Sequence, residues 1–159
     1  MNSSKVFKMA WFRMASLSGL AIAAVGLAMA APRPEVVASG LQNPWGVGFL
    51  PDGRFLVTEK SGRIRVVAAD GKLGAPLAGL PAIATGGQGG LLDVLVDSAF
   101  ARNRTFYFCY SEPEAGGSAN GTALARAQLS ADGSRLEGLK VIFSQRPKVA
   151  SRNHFGCRI

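Results

Sequence analysis

Beyond residue 44, apolar side chains recur at a spacing of two, interrupted at short intervals by turn-forming residues. Val47 and Phe49, then Phe55 and Val57, then Ile64 and Val66 follow this alternation, which is the period of a half-buried strand. Pro51-Asp52-Gly53 and Lys60-Ser61-Gly62 stand between them. Both triplets suit a chain reversal: glycine accepts a positive φ, and Asp or Ser side chains bond neighbouring backbone. Three strands between Trp45 and Val67 predict a tight antiparallel meander. The pattern returns at Leu91 to Val96, Thr105 to Ser111, Thr122 to Leu129 and Leu136 to Phe143. Asn103-Arg104, a Gly/Ser/Asn stretch from Gly116 to Gly121, and Asp132-Gly133 separate these runs. Helical periodicity is almost absent, so the fold class is all-β.

The two meanders open near Trp45 and Leu91, about 46 residues apart, inside the roughly 40–50 residues of one β-propeller blade. With four strands to a blade, blade one falls at about 45–85 and blade two at about 91–145. Glu35 to Ser39 reads as a lone strand completing a last blade, and Phe155 onward as the opening of a third. A β-sandwich is the competing arrangement.

The first thirty residues have a different character. Lys5, Lys8 and Arg13 precede an apolar stretch from Leu17 to Met29 and the small-residue pattern Ala28-Met29-Ala30, the order of a secretory signal peptide. The stretch is shorter than the roughly 20 residues a spanning helix needs, so cleavage after Ala30 is expected, with no membrane anchor left and a periplasmic or secreted product. Removing 30 of the 159 residues leaves 129, enough for one small domain (31–159), and lowers the formal charge from +8 to +5. The remaining bases are scattered without interleaved aromatics, so nucleic-acid binding is not expected. Export permits a disulfide. Cys109 and Cys157 are nonetheless expected to be two unpaired small side chains, with a bridge as the alternative, since nothing in their spacing resembles a metal or redox motif.

Two segments are candidates for chemistry. Gly86-Gly87-Gln88-Gly89-Gly90 runs directly into a strand. A phosphate-cradling loop needs a helix amino terminus behind it, so a nucleotide site is not expected. The glycines suggest either a backbone that another surface approaches closely, presenting the Gln88 amide, or a simple bulged turn. Ser151-Arg152-Asn153-His154-Phe155-Gly156 holds the one histidine of the chain. Imidazole is the commonest general base near neutral pH, but a lone histidine is as a rule structural. No G-x-S-x-G elbow is present to support a serine hydrolase.

Four stretches carry a family resemblance: GLQNPWGVGFLPDGRFLVTEKSGRIRVV, GGQGGLLDV, FYFCYSEP and the terminal NHFGCRI. In this order and spacing they resemble the amino-terminal part of the soluble pyrroloquinoline-quinone (PQQ)-dependent aldose sugar dehydrogenases, the glucose/sorbosone dehydrogenase family. The resemblance implies a six-bladed β-propeller of which this chain holds about the first two blades and the start of the third. It further implies PQQ and calcium as cofactors, an aldose substrate oxidised at C1 to the lactone, and an external electron acceptor. His154 matches the motif's general base, which takes the C1 hydroxyl proton while hydride passes to the quinone. Gln88 matches the glutamine that touches the sugar. Asn153, a substrate-side residue, stands where the family often has an aspartate that tunes the histidine, and Arg158 matches the motif's arginine, a supporting residue. Cys157 stands where a small residue such as serine or glycine is expected. The quinone and calcium ligands are expected beyond Ile159, with no metal site in this chain, which would leave it inactive alone. Two other classes compete: an exported propeller module that binds carbohydrate or a protein without chemistry, and a lactonase-like propeller using inward carboxylates. For the latter only Glu59 and Asp93 offer themselves, and each reads more simply as a turn or surface residue.

Overall fold

The structure, a computed structural model, describes residues 32–159, so the expected signal segment at 1–30 lies outside the described residues. The body Glu35–Ile159 contains two four-stranded antiparallel sheets. The first comprises β1 (Pro44–Phe49), β2 (Phe55–Glu59), β3 (Arg63–Val67) and β4 (Leu73–Pro76). The second comprises β5 (Leu91–Val96), β6 (Thr105–Pro113), β7 (Asn120–Leu129) and β8 (Leu136–Ser144), with a single helical turn, α1 (Phe100–Asn103), between β5 and β6. Strands follow in chain order within each sheet, with no strand crossing between them. That is the meander of propeller blades, not the exchange of strands that builds a Greek-key sandwich.

The turns form where expected. The Gly53 N–H donates to the Leu50 carbonyl at 3.1 Å and the Gly62 N–H to the Glu59 carbonyl at 2.9 Å. β4 departs from the sequence pattern because Gly74 and Pro76 break its apolar alternation; it is recognisable only by its pairing with β3. The approach to α1 is set by Asp97, whose carboxylate accepts the Ala99 N–H at 2.8 Å. The expected strands at 35–39 and from Phe155 are not formed among the described residues.

The core lies between the sheets, and its second half is built from size complementarity. Phe106, Phe108 and Tyr110 of β6 stand opposite Ala127, Ala125 and Ala123 of β7, and all six are buried. On the facing sheet Leu56 and Ile64 are fully buried. β1 meets β5 through glycine: a Cβ on Gly48 would lie 2.7 Å from a Val96 methyl. Thr58 joins the sheets at this seam, taking the Gly46 N–H at 2.8 Å and donating its own hydroxyl proton to the Leu92 carbonyl at 2.6 Å.

The apolar row of β1 therefore faces outward. Val47 and Phe49 are 52% and 71% exposed and, with Phe55, Val57, Val36 and Val37, line an open apolar cleft of about 480 Å³. Glu59 requires a correction. It is not a surface residue but fully buried, paired with Arg63 at 2.6 Å and Arg65 at 3.8 Å, and accepts the Gln42 N–H. A buried carboxylate needs such partners to offset desolvation, and these consume the oxygens an inward metal would require.

Candidate functional site

The Gly86–Gly90 segment closes on itself as a tight turn, the Gly89 N–H donating to the Gly86 carbonyl at 2.9 Å. Two other segments press against it. Gly87, at φ +55°, could carry no side chain because a Cβ would strike the backbone carbonyl and Cβ of Arg152. Gly90, at φ +150°, is closed in the same way by the Lys60 carbonyl of sheet one. Both expectations for this stretch thus hold together: it is a reversal, and its glycines exist because neighbouring chain comes within contact.

What approaches Gly87 is the segment that holds the histidine. The Gln88 N–H donates to the Arg152 carbonyl at 2.8 Å, and the Gln88 side-chain oxygen accepts the His154 N–H at 2.7 Å. Because a backbone N–H can only donate, this bond fixes the amide orientation and leaves the Gln88 NH₂ free to donate outward. His154 sits at φ +64°, a left-handed conformation that few non-glycine residues adopt and that histidine tolerates better than most. Its side chain is exposed. Asn153 is also exposed, and its backbone N–H donates to the Ser151 hydroxyl at 3.2 Å.

The path into this segment is braced. Asn120 and Val149 exchange backbone bonds of 3.0 Å each way, and the Asn120 amide donates to the Ser151 carbonyl at 3.0 Å. Just before it, the nearly buried Lys148 donates to Glu112, which also accepts from Ser144. Burial pushes the Glu112 carboxyl up, but the Lys148 and Ser144 bonds outweigh it and hold the group below its ordinary value.

The path out crosses sheet two. Cys109 and Cys157 are paired, with Cα atoms 6.3 Å apart, inside the span a disulfide bridges. This corrects the expectation of two free thiols. The sequence spacing of 48 gave no hint, since what joins them is the return of the terminal segment across β6. The Ile159 N–H donates to Asp93 of β5 at 3.1 Å. Arg158 reaches the same carboxylate only at 4.0 Å and is 92% exposed at its side chain. Of the sequence candidates, the structure brings Gln88 and His154 into contact, sets Asn153 beside them in the chain, and turns Arg158 to Asp93 instead.

Two site neighbours escaped sequence reasoning. Lys60, stacked over Trp45 with its ammonium 5.6 Å from the ring centre, donates to the Gly87 carbonyl. Arg152 contributes its carbonyl to Gln88 and packs its guanidinium against Gly86. Neither carries a motif signal, because the partners lie far along the chain. On either side of the turn lie two open clefts. One, of about 310 Å³, is lined by Ala84, Thr85, Asn120, Ser151 and Phe155, and the other, of about 270 Å³, by Asn43, Lys60 and Ser61. Among the described residues no three His, Cys, Asp or Glu side chains cluster as metal ligands, and no helix is long and apolar enough to cross a membrane.

A glycine-gripped glutamine and a left-handed histidine meet at the two ends of the second meander. The glucose/sorbosone dehydrogenase family profile matches residues 41–159. The chain belongs to that family. It is 41% identical over 126 residues to the aldose sugar dehydrogenase YliI of Escherichia coli K12, covering 79% of this chain and 34% of that protein. Among solved structures, a glucose dehydrogenase matches with a TM-score of 0.74 at 44% identity, covering 79% of this chain and 36% of its own. The PQQ-bound aldose sugar dehydrogenase of Streptomyces coelicolor matches with a TM-score of 0.62 at 25% identity, covering 71% and 33%. The chain thus spans about a third of the length of these relatives, and its two sheets are two blades of the family's propeller.

Proposed function

We propose that this chain is the base-bearing portion of an exported PQQ-dependent dehydrogenase that oxidises an aldose at C1 to the lactone. The observation that carries the reading is the bond from the His154 N–H to Gln88. It joins two motifs 66 residues apart at one end of blade two, as a shared substrate site requires. Family membership, the aldose sugar dehydrogenase among the relatives and the PQQ-bound neighbour support the same direction.

The residues present suit a polyanionic quinone in charge, since Lys60 and Arg152 flank the turn. This chain is given no part in holding calcium, since among the described residues no three His, Cys, Asp or Glu side chains cluster. When bound, the quinone supplies the hydride acceptor. This chain's part is to hold and deprotonate the sugar. The exposed imidazole of His154 takes the C1 hydroxyl proton at a ring nitrogen. The free Gln88 NH₂ donates to a sugar oxygen and keeps C1 facing that nitrogen. Asn153 adds a polar contact beside it, and Arg158, exposed and 4.0 Å from Asp93, is given no part in holding the sugar.

Spanning about a third of its relatives' length, the chain is expected to be inactive by itself. In a protein joining it to the remaining blades, with PQQ and calcium supplied, His154→Ala is expected to keep the quinone bound. Dye reduction with aldoses should then fall by about 10²–10⁴-fold, the usual worth of a general base. Unchanged turnover would end the assignment. Sugar binding without any dye reduction in the unmodified protein would point to a carbohydrate-binding module instead.

A further inference from the structure

Resting on His154 as the base, we infer that the Cys109–Cys157 disulfide is the device that positions it, so that the site is assembled only under oxidising conditions. Cys109 is 2% exposed in the middle of β6, pointing away from the interblade core because Phe108 and Tyr110 on either side point into it. Cys157 follows His154 by three residues, a length of chain that reaches at most about 10 Å. The segment is therefore gripped from both sides. Gln88 holds Arg152 and His154 at the glycine turn, and the bridge fixes the chain immediately beyond, with Asp93 taking the last N–H. Among the described residues, the outgoing half has, apart from the bridge, that one hydrogen bond, the loose Arg158 contact at 4.0 Å and the Phe155 ring packed near Gly89. Residues that are at most half-buried and carry so few hydrogen bonds open locally more readily than the paired strands beside them. Cutting the bridge frees the half of the segment that keeps a left-handed histidine in place.

Closing the bridge removes two electrons and two protons from the two thiols. A disulfide-bearing oxidant accounts for both: one thiolate attacks it, the mixed disulfide is resolved by the second, and two molecules of thiol leave. Oxidised glutathione is a sufficient probe.

The chain offers a direct reporter, because it has a single histidine and hence a single set of imidazole resonances. After treatment with oxidised glutathione, thiol titration in denaturant should find no free thiol, and two after added dithiothreitol. Hydrogen exchange at the His154 amide should speed up by at least roughly tenfold on reduction, with a shift of the imidazole signals, while Ala123 and Ala125 in β7 stay protected. Cys157→Ser should reproduce the fast exchange and no longer respond to dithiothreitol. Two free thiols in the glutathione-treated protein would overturn the inference. So would an unchanged His154 amide on reduction. Loss of protection in β7 together with His154 would overturn it equally, since the bridge would then hold the sheet and not the segment. None of these readouts needs sugar or quinone, so failure of the dehydrogenase reading would leave them standing as a separate result.

Discussion

β1 and β7 carry the same kind of alternation and use it in opposite senses. In β7 the alternate residues Ala123, Ala125 and Ala127 are buried against the aromatic row of β6, and Arg126 and Gln128 face solvent. In β1 the apolar residues Val47 and Phe49 are the exposed ones, and Gly46 and Gly48 face the neighbouring sheet. The difference lies in what is opposite. β7 faces large side chains and needs small ones, whereas β1 lies against the Val96 side chain at Gly48 and tightly against the β5 backbone at Gly46, which leaves little room for a side chain at the seam. Period two reports that a strand has two faces, and the neighbour decides which is the core.

Three substitutions would break or sharpen this contrast. Phe108→Ala removes the centre of the aromatic row and should cost about 3–5 kcal/mol in urea unfolding. A loss under 1 kcal/mol would mean the row is not core. Gly48→Val drives a side chain into Val96 and should cost about 1–3 kcal/mol through overpacking, whereas a stabilising effect would place the β1 core face on the Val47 side. Phe49→Ser is expected to cost only about 0.5–1 kcal/mol, the worth of its edge contact with Phe55 at 5.5 Å, and to raise solubility. A loss comparable to that of Phe108→Ala would show that the outward face is covered in solution.

Most of the fold was legible in the sequence because strands and turns leave local marks. The seven alternating runs sit within two or three residues of observed strands, and the 46-residue spacing of Trp45 and Leu91 corresponds to two consecutive sheets. β4 was not legible, since Gly74 and Pro76 erase its pattern and only β3 makes it a strand. At the site, Gln88 and His154 could be singled out by residue type, one amide among glycines and one imidazole in the chain. Their contact could not, nor could the Lys60 and Arg152 contributions, which depend on how blade one and the terminal segment close on the turn. Glu59 was misread for a related reason. A carboxylate before Lys60-Ser61-Gly62 looks like part of an exposed reversal until Arg63, Arg65 and the Gln42 N–H are seen around it.

The pairing of aromatic with alanine between β6 and β7 also acts as a lock on alignment. Sliding β7 by two residues one way would set Phe106 against Leu129, two large side chains where the space admits one. Sliding it the other way would set Tyr110 against Gly121 and leave a void. A slip by a single residue would turn Arg126 and Gln128 into the core. The two strands therefore have one alignment at which volume and polarity are both satisfied, and the loop from Glu114 to Ala119 between them can vary in length without changing it.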